Sequence, residues 1–461
     1  MNSAVHFAPY VPGQDGPWDA RAAAHLLRRV GFGATPAEIR QTVEKGLETT
    51  VEELFADDRE QEAEFQETFR RVHGTLVDFE AGGQFQVWWC YRMLHTRAPL
   101  REKLSLFWHG HFATSSQKVT ELPLMHQQCE TLRRHAWGNF HDLVLAISRD
   151  PAMLVWLDNE ANTKEHPNEN LARELMELFT VGIGNYTEKD VREAARALTG
   201  WHRDGAKFRL RAEAHDSGVK TFLAQRGHFD GTDVVDILMQ QTATPQFIAR
   251  KLLVFFACPE PPDDVVAEAG ERLAQTRLSV KWFLRELFQS KFFYSAACRR
   301  TRIASPVELV IGTCRSLGVR LPCQELYTRM AGMGQDLFAP PNVKGWDGEQ
   351  KWINSAAWAV RSEFAKRIAA LASTNGVGAH LDVGRLVPTG LADPDQVVEL
   401  LVERLLDGEL TKERRAEIGR FLITAADGPK PDQFRADAAF REQQVRAALA
   451  LILGLPEYHT V

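Results

Sequence analysis

Three stretches of this chain carry side chains whose types and spacing suit chemistry. The first is His109-Gly110-His111. Leu100, Leu104, Phe107, Trp108 and His111 fall at i, i+4, i+7, i+8 and i+11, one apolar stripe of a helix, so His111 is expected to face the core. His109 then lies about 200° away, and two imidazoles so placed cannot chelate one ion from a helix. They can if Gly110 ends the helix and the chain runs on extended, because i and i+2 then share a face. Imidazole is the commonest protein ligand for transition ions, which makes His109 and His111 candidate metal ligands. The plain alternative is a core His111 bonded to a carbonyl, with His109 as a cap.

The second stretch runs from Asn168 to Phe179. Asn168 after Pro167 suits a helix cap. Asn170, Glu174 and Glu177 at i, i+4 and i+7 fall within about 60° of one another, while Leu171, Leu175, Leu178 and Phe179 take the other side. Read bare, this is an amphipathic helix with a wet face. Two carboxylates three residues apart can also converge on one point, as in metal sites on bundle helices. Arg173 beside them can hold a carboxylate ionised. Asn170, Arg173, Glu174, Glu177 and Lys344 are therefore the candidate catalytic residues, with Glu174 and Glu177 doubling as candidate metal ligands.

The third stretch is GMGQDLFAPPNVKGWDGEQKWINS at 332–355, whose glycines and prolines forbid a regular helix. A loop of that length in a compact protein is usually functional or packed by its own aromatics. Placed over the Glu174 face, it would bring Lys344 to the carboxylates, and Trp346 or Trp352 to a planar or sugar ligand. Trp108, Trp201, Trp346 and Asn342 are the candidate substrate-binding residues, and the polar and aromatic region between Trp108 and Trp201 is where function is sought.

The elements that must hold these residues are mostly helical. Thr35, Pro36 and Glu38 read as an N-cap, a proline at N1 and an acid at N3, and Asp150-Pro151 as a second helix start. Residues 57–73 form a charged run suited to a solvated helix or linker. KFRLRAEAH at 207–215 alternates as a half-buried strand, one arm of a small hairpin near 207–223. Gly200 suits the C′ position of the helix begun near Thr187, with Trp201 packed under the hairpin. His215-Asp216-Ser217-Gly218 is turn chemistry. The expected fold is all-α with this one hairpin insertion, divided as 1–84, 85–300 (holding the polar motifs) and 301–461.

The chain has 461 residues, 44% hydrophobic and 25% charged, with a net charge of −6. These values fit an ordinary globular protein of two or three subdomains. They argue against strong nonspecific attraction to nucleic acid or anionic lipid. No run of 18 apolar residues and no secretion signal is visible, so no membrane partner is expected and the cytoplasm is the default location. The six cysteines include no Cys-x-x-Cys pair, which suits a reduced chain better than a disulfide-stapled one. P-loop, Rossmann, His-Glu-x-x-His and Gly-x-Ser-x-Gly signatures are absent.

Six blocks in order carry a resemblance: HLLRRVGFGATPAEI at 25–39, LREKLSLFWHGHFATS at 100–115, ETLRRHAWGNFHDLVLAISRDPAMLVWLDN at 130–159, PNENLARELMELFTVGIGNYTEKDVREAARALTGW at 167–201, HDSGVKTFL at 215–223 and FAPPNVKGWDGEQKWIN at 338–354. In these the chain resembles the bacterial domain-of-unknown-function family 1800, which implies no assigned reaction. The family commonly has a polar residue between the two histidines, where this chain has Gly110. It tends to Pro and Gly after Gly345-Trp346, where this chain has Asp347 and Glu349. Two functions follow. One is a metal-dependent oxidoreductase or hydrolase using iron, manganese or zinc on mixed His and carboxylate ligands, with haem as a weaker variant. The other is a non-catalytic ligand-binding or assembly protein using the same polar and aromatic surface, its partner a small molecule or a polymer.

Overall fold

The computed structural model describes residues 6–56, 59–75, 84–372 and 378–461. Among them are 23 α-helices and three two-stranded antiparallel hairpins, so the fold is all-α. No helix among the described residues is long and apolar enough to cross a membrane. The capping chemistry read from sequence is in place. Thr35 and Glu38 form a reciprocal capping box at the helix Pro36–Lys45, and Asp150 accepts from the Ala152 and Met153 amides at the start of Pro151–Trp156. The charged run forms the helix Arg59–Thr75, with residues 57 and 58 outside the described residues. It is not wholly solvated, since Phe65 is buried and Glu62 pairs with Arg92 at 2.7 Å.

A hairpin is present, but over 201–210 instead of 207–223, with its partner strand before the predicted arm and that arm shorter than its alternation. Trp201–Asp204 pairs with Lys207–Leu210, and Trp201↔Leu210 is the last pair. Before Trp201 stands Gly200 at φ +78°, where the preceding helix turns. Beyond Leu210 the Arg211 amide still donates to the Gly200 carbonyl at 2.8 Å, and Ala212–Ala214 then close into a 3-10 turn instead of continuing the strand. Two more hairpins, Lys220–Phe222 with Gln225–Gly227 and Thr424–Ala425 with Gly428–Pro429, were not expected.

Two hydrophobic cores organise the molecule, and they do not follow chain order. One gathers mainly residues between Phe7 and Cys298. The other joins Phe85, Trp89, Leu106 and Leu124 to the segment from Ala304 to Val461. The helix Pro99–His111 serves both, sending Leu100, Leu104, Phe107 and Trp108 into the first and Leu106 into the second.

Buried ion pairs fix that helix. Glu102 is fully enclosed, accepting from Arg133 Nε at 2.9 Å, Arg92 Nη2 at 3.1 Å and the Trp89 indole at 3.0 Å. These cations hold its carboxyl down at about 2 against the cost of burial. Lys103 donates to Glu308 at 2.5 Å and to the Gly31 carbonyl at 2.9 Å, tying the helix to both flanks.

Candidate functional site

The helix Pro99–His111 starts on Pro99 and ends as the Phe112 amide donates to the Trp108 carbonyl. Both histidines therefore lie on regular helix, on different faces, and both are buried. His109 Nε2 accepts the Phe338 amide at 3.0 Å, which makes it the neutral, Nδ1-protonated imidazole and not a helix cap. Burial lowers its pKa to about 4. Trp89, Phe338 and Trp346 surround it at ring separations of 5.3–5.5 Å.

His111 faces the first core, as its stripe required. Its Nε2–H donates to the Phe179 carbonyl at 3.0 Å, which obliges Nδ1 to act as an acceptor. It accepts there from Lys251 Nζ at 3.2 Å. Each imidazole has thus committed ring nitrogens to the protein. Among the described residues no group of three or more His, Cys, Asp or Glu side chains is placed to hold a metal ion.

The acid-bearing segment departs from the ideal helix used to place it. The α-helix Asn170–Glu174 continues as a π-helix over Leu175–Thr180, with Thr180 Oγ1 donating back to the Leu175 carbonyl at 2.6 Å. The N-cap is Glu169, although Asn168 Oδ1 still accepts the Asn170 amide at 2.9 Å. Glu177 accepts the Tyr186 hydroxyl at 2.9 Å. Glu174 is half-buried with a raised pKa, from burial first and then from the charge of Glu177, opposed by Arg173 and Lys344. The two acids and Lys344 therefore lie within electrostatic reach of one another. Arg173 places its hydrogen bonds elsewhere, on Glu188 at 2.8 Å and Glu169 at 3.0 Å. Asn170 is exposed, its amide 3.4 Å from Asp158 Oδ2.

The remaining candidates divide between interior and loop. Trp108 is wholly buried and donates its indole N–H to the Ala136 carbonyl at 2.7 Å. Trp201, also buried, lies in the hairpin strand itself, between Phe208 at 5.3 Å and the Arg149 guanidinium at 5.2 Å. Asn342 is exposed and caps its own turn, accepting the Lys344 amide at 2.8 Å.

Trp346 and Lys344 instead line a cleft of about 330 Å³. One side is helical, with Leu106, Phe107, Gly110 and His111 from Pro99–His111 and Arg250, Lys251, Val254 and Phe255 from Ala243–Phe256. The other side is the irregular stretch, seated on the helix where Gly345, at φ +81°, meets Gly110. A β-carbon at 345 would overlap the Gly110 carbonyl oxygen, so only glycine allows this approach.

Four cationic side chains line this cleft, Arg250, Lys251, Arg302 and Lys344, against two carboxylates, Asp347 and Glu349. Arg302 is taken up by Glu349 at 3.3 Å and Glu308 at 3.4 Å, and Arg250 by Asp263 at 2.5 Å. Lys251 has no carboxylate partner among the described residues. Its Nζ donates to His111 Nδ1 and, at 3.1 Å, to the Leu178 carbonyl, and lies 4.8 Å from the Phe247 ring centre. Burial lowers its pKa to about 8. Arg250, Lys251 and Arg302 were not among the residues singled out from sequence. The available signal was a cation on the otherwise aromatic stripe Phe247, Lys251, Phe255.

No curated protein and no solved structure matches the chain. Residues 25–460, nearly the whole sequence, match one family, and with the six sequence blocks now placed on a single fold, the chain belongs to the family described as "Protein of unknown function (DUF1800)".

Proposed function

We propose that this protein binds a small, flat, anionic molecule in the cleft between the helices Pro99–His111 and Ala243–Phe256 and the loop carrying Trp346. This is the ligand-binding alternative of the two functions read from sequence. The observation that carries it is Lys251, a cation lining an aromatic-walled cleft with no acidic partner among the described residues. A partly desolvated cation is a strong attractor for an anion, because the low-dielectric walls weaken its screening. Trp346 supplies a flat apolar face and Lys344 a second charge at the rim.

What supports this reading over a metal-dependent oxidoreductase or hydrolase is the engagement of both imidazoles by backbone and lysine groups. Calorimetric titration with benzoate, phthalate and phenyl phosphate, each against an uncharged analogue, tests it. At least one anion is expected to bind about tenfold more tightly than its neutral counterpart, equivalent to about 1.4 kcal/mol. Lys344→Glu and Trp346→Ala should each weaken it. Equal affinity for charged and uncharged probes, or no binding by a folded protein across the panel, ends the proposal. Stoichiometric iron, manganese or zinc that is lost in Glu174→Ala would revive the metal-dependent reading.

A further inference from the structure

We propose that Lys251 is a covalent carbonyl-capture site, its Nζ condensing with the aldehyde or keto group of an oxo-acid held in the cleft to give an imine. This rests on the anion-binding reading above and adds the class of ligand and the atom that would react with it.

Several buried cations of this molecule are paired with acids. Lys103 is held by Glu308, and Arg92 and Arg133 by Glu102. Each faces a carboxylate, although burial still brings Lys103 to about 8, and buried Arg361 faces an imidazole nitrogen and a carbonyl. Lys251 also faces two neutral acceptors, His111 Nδ1 and the Leu178 carbonyl. His111 cannot reverse the bond, because its only N–H is spent on the Phe179 carbonyl. In the free amine the two N–H bonds can point at these two acceptors. The lone pair then takes a tetrahedral position that neither acceptor occupies, on a residue that lines the cleft.

Burial adds reactivity to this geometry. With a pKa of about 8, roughly a tenth of Lys251 is free amine at pH 7, against less than about one in a thousand for an ordinary lysine. Desolvated lysines of this kind are the ones that form imines with carbonyl compounds. The surrounding groups select which carbonyl compound enters. Lys344 suits a carboxylate, and Trp346 and Phe255 suit the flat body that would carry it. In the reaction the Nζ lone pair bonds to the carbonyl carbon as the C=O π pair moves to oxygen. Both amine hydrogens end on that oxygen, which leaves as water as the C=N bond forms. His111 Nδ1 holds one of these hydrogens at the outset. Nothing is oxidised or reduced.

The test uses the wild-type full chain and 4-carboxybenzaldehyde, an aromatic aldehyde carrying one carboxylate. The imine is trapped with cyanoborohydride, and the modified lysines are located by mass spectrometry of chymotryptic peptides. Lys251 is expected to label at least about tenfold faster than the mean of the other lysines. Terephthalate, the same shape without an aldehyde, should suppress that labelling, and benzaldehyde, which has no carboxylate, should lose most of the selectivity. Labelling of Lys251 no faster than that of exposed lysines overturns the proposal. If terephthalate binds and no Lys251 adduct forms, imine formation falls and the anion-binding reading stands. If terephthalate also fails to bind, both fall together.

Discussion

At Lys251, charge and solvation pull in opposite directions, and the balance can be measured without knowing the ligand. An ordinary lysine gives up its proton near 10.5, whereas burial brings Lys251 to about 8. Between those values the unfolded chain keeps the proton and the folded chain does not, so this residue adds stability as pH rises through that window. Lys251→Met removes the contribution. Urea unfolding of both proteins from about pH 7.5 to about pH 10 should show wild type gaining on the variant as pH rises, and a constant difference would contradict the shifted ionisation. The inward direction of His111 was legible from its place on the apolar stripe, because 100° per residue fixes which positions share a face. Lys251 was not legible, since the pair Arg250-Lys251 on a helix reads as an ordinary solvated face and nothing in the sequence shows that only one of the two turns inward. The bonds of His109 were equally invisible, because its partner is a backbone amide 229 positions away and any residue with an N–H would serve.

For elements, the informative junction is the loop against the helix Pro99–His111. Two glycines meet there and carry different burdens. Gly345 is left-handed and would overlap the Gly110 carbonyl if it bore a β-carbon, whereas a β-carbon at Gly110 would sit 3.8 Å from Trp346, an ordinary contact. Gly345→Ala is expected to cost about 1–3 kcal/mol and to loosen Trp346 from the cleft, while Gly110→Ala in regular helix is expected to be neutral or slightly stabilising. Thermal unfolding of the two variants separates these outcomes, and equal effects would refute the asymmetry. The irregular character of 332–355 was legible from its glycines and prolines. The π-helical turn at Leu175–Thr180 was not, because the sequence keeps its apolar spacing through the segment and only the hydrogen-bond register changes. The strand predicted to run to 215 stopped at Leu210 because alternation describes one strand and says nothing about where its partner begins.

Across the molecule, the most consequential charges are the buried acids. Glu102 is held at about 2, and Glu308 and Asp407 are also lowered, each by facing cations that outweigh its burial. A depressed carboxyl stabilises the fold above its unfolded value and loses that contribution as pH falls towards its folded value. Stability should therefore drop as pH falls from about 4.5 towards 2. Glu102→Gln should cost about 3–5 kcal/mol at neutral pH, by leaving Arg92 and Arg133 facing no charge at that position, and should flatten part of the acid loss. Denaturant midpoints across that range check both statements, and an unchanged acid profile in the variant would contradict the assignment. The helical class was legible throughout because periodicity is a property of each segment. The partition into two cores was not, since it depends on which distant segments meet. That partition gives the helix Pro99–His111 an unusual rigidity of length. One extra residue inserted before Leu106 would rotate everything after it by about 100°. Leu106 and Phe107 would each be swung away from their own layer of packing, and the imidazoles beyond them would lose Phe338 and Phe179 together. Outer segments of such a chain can lengthen or shorten in evolution with local effect, but this span behaves like a ruler whose graduations both halves read.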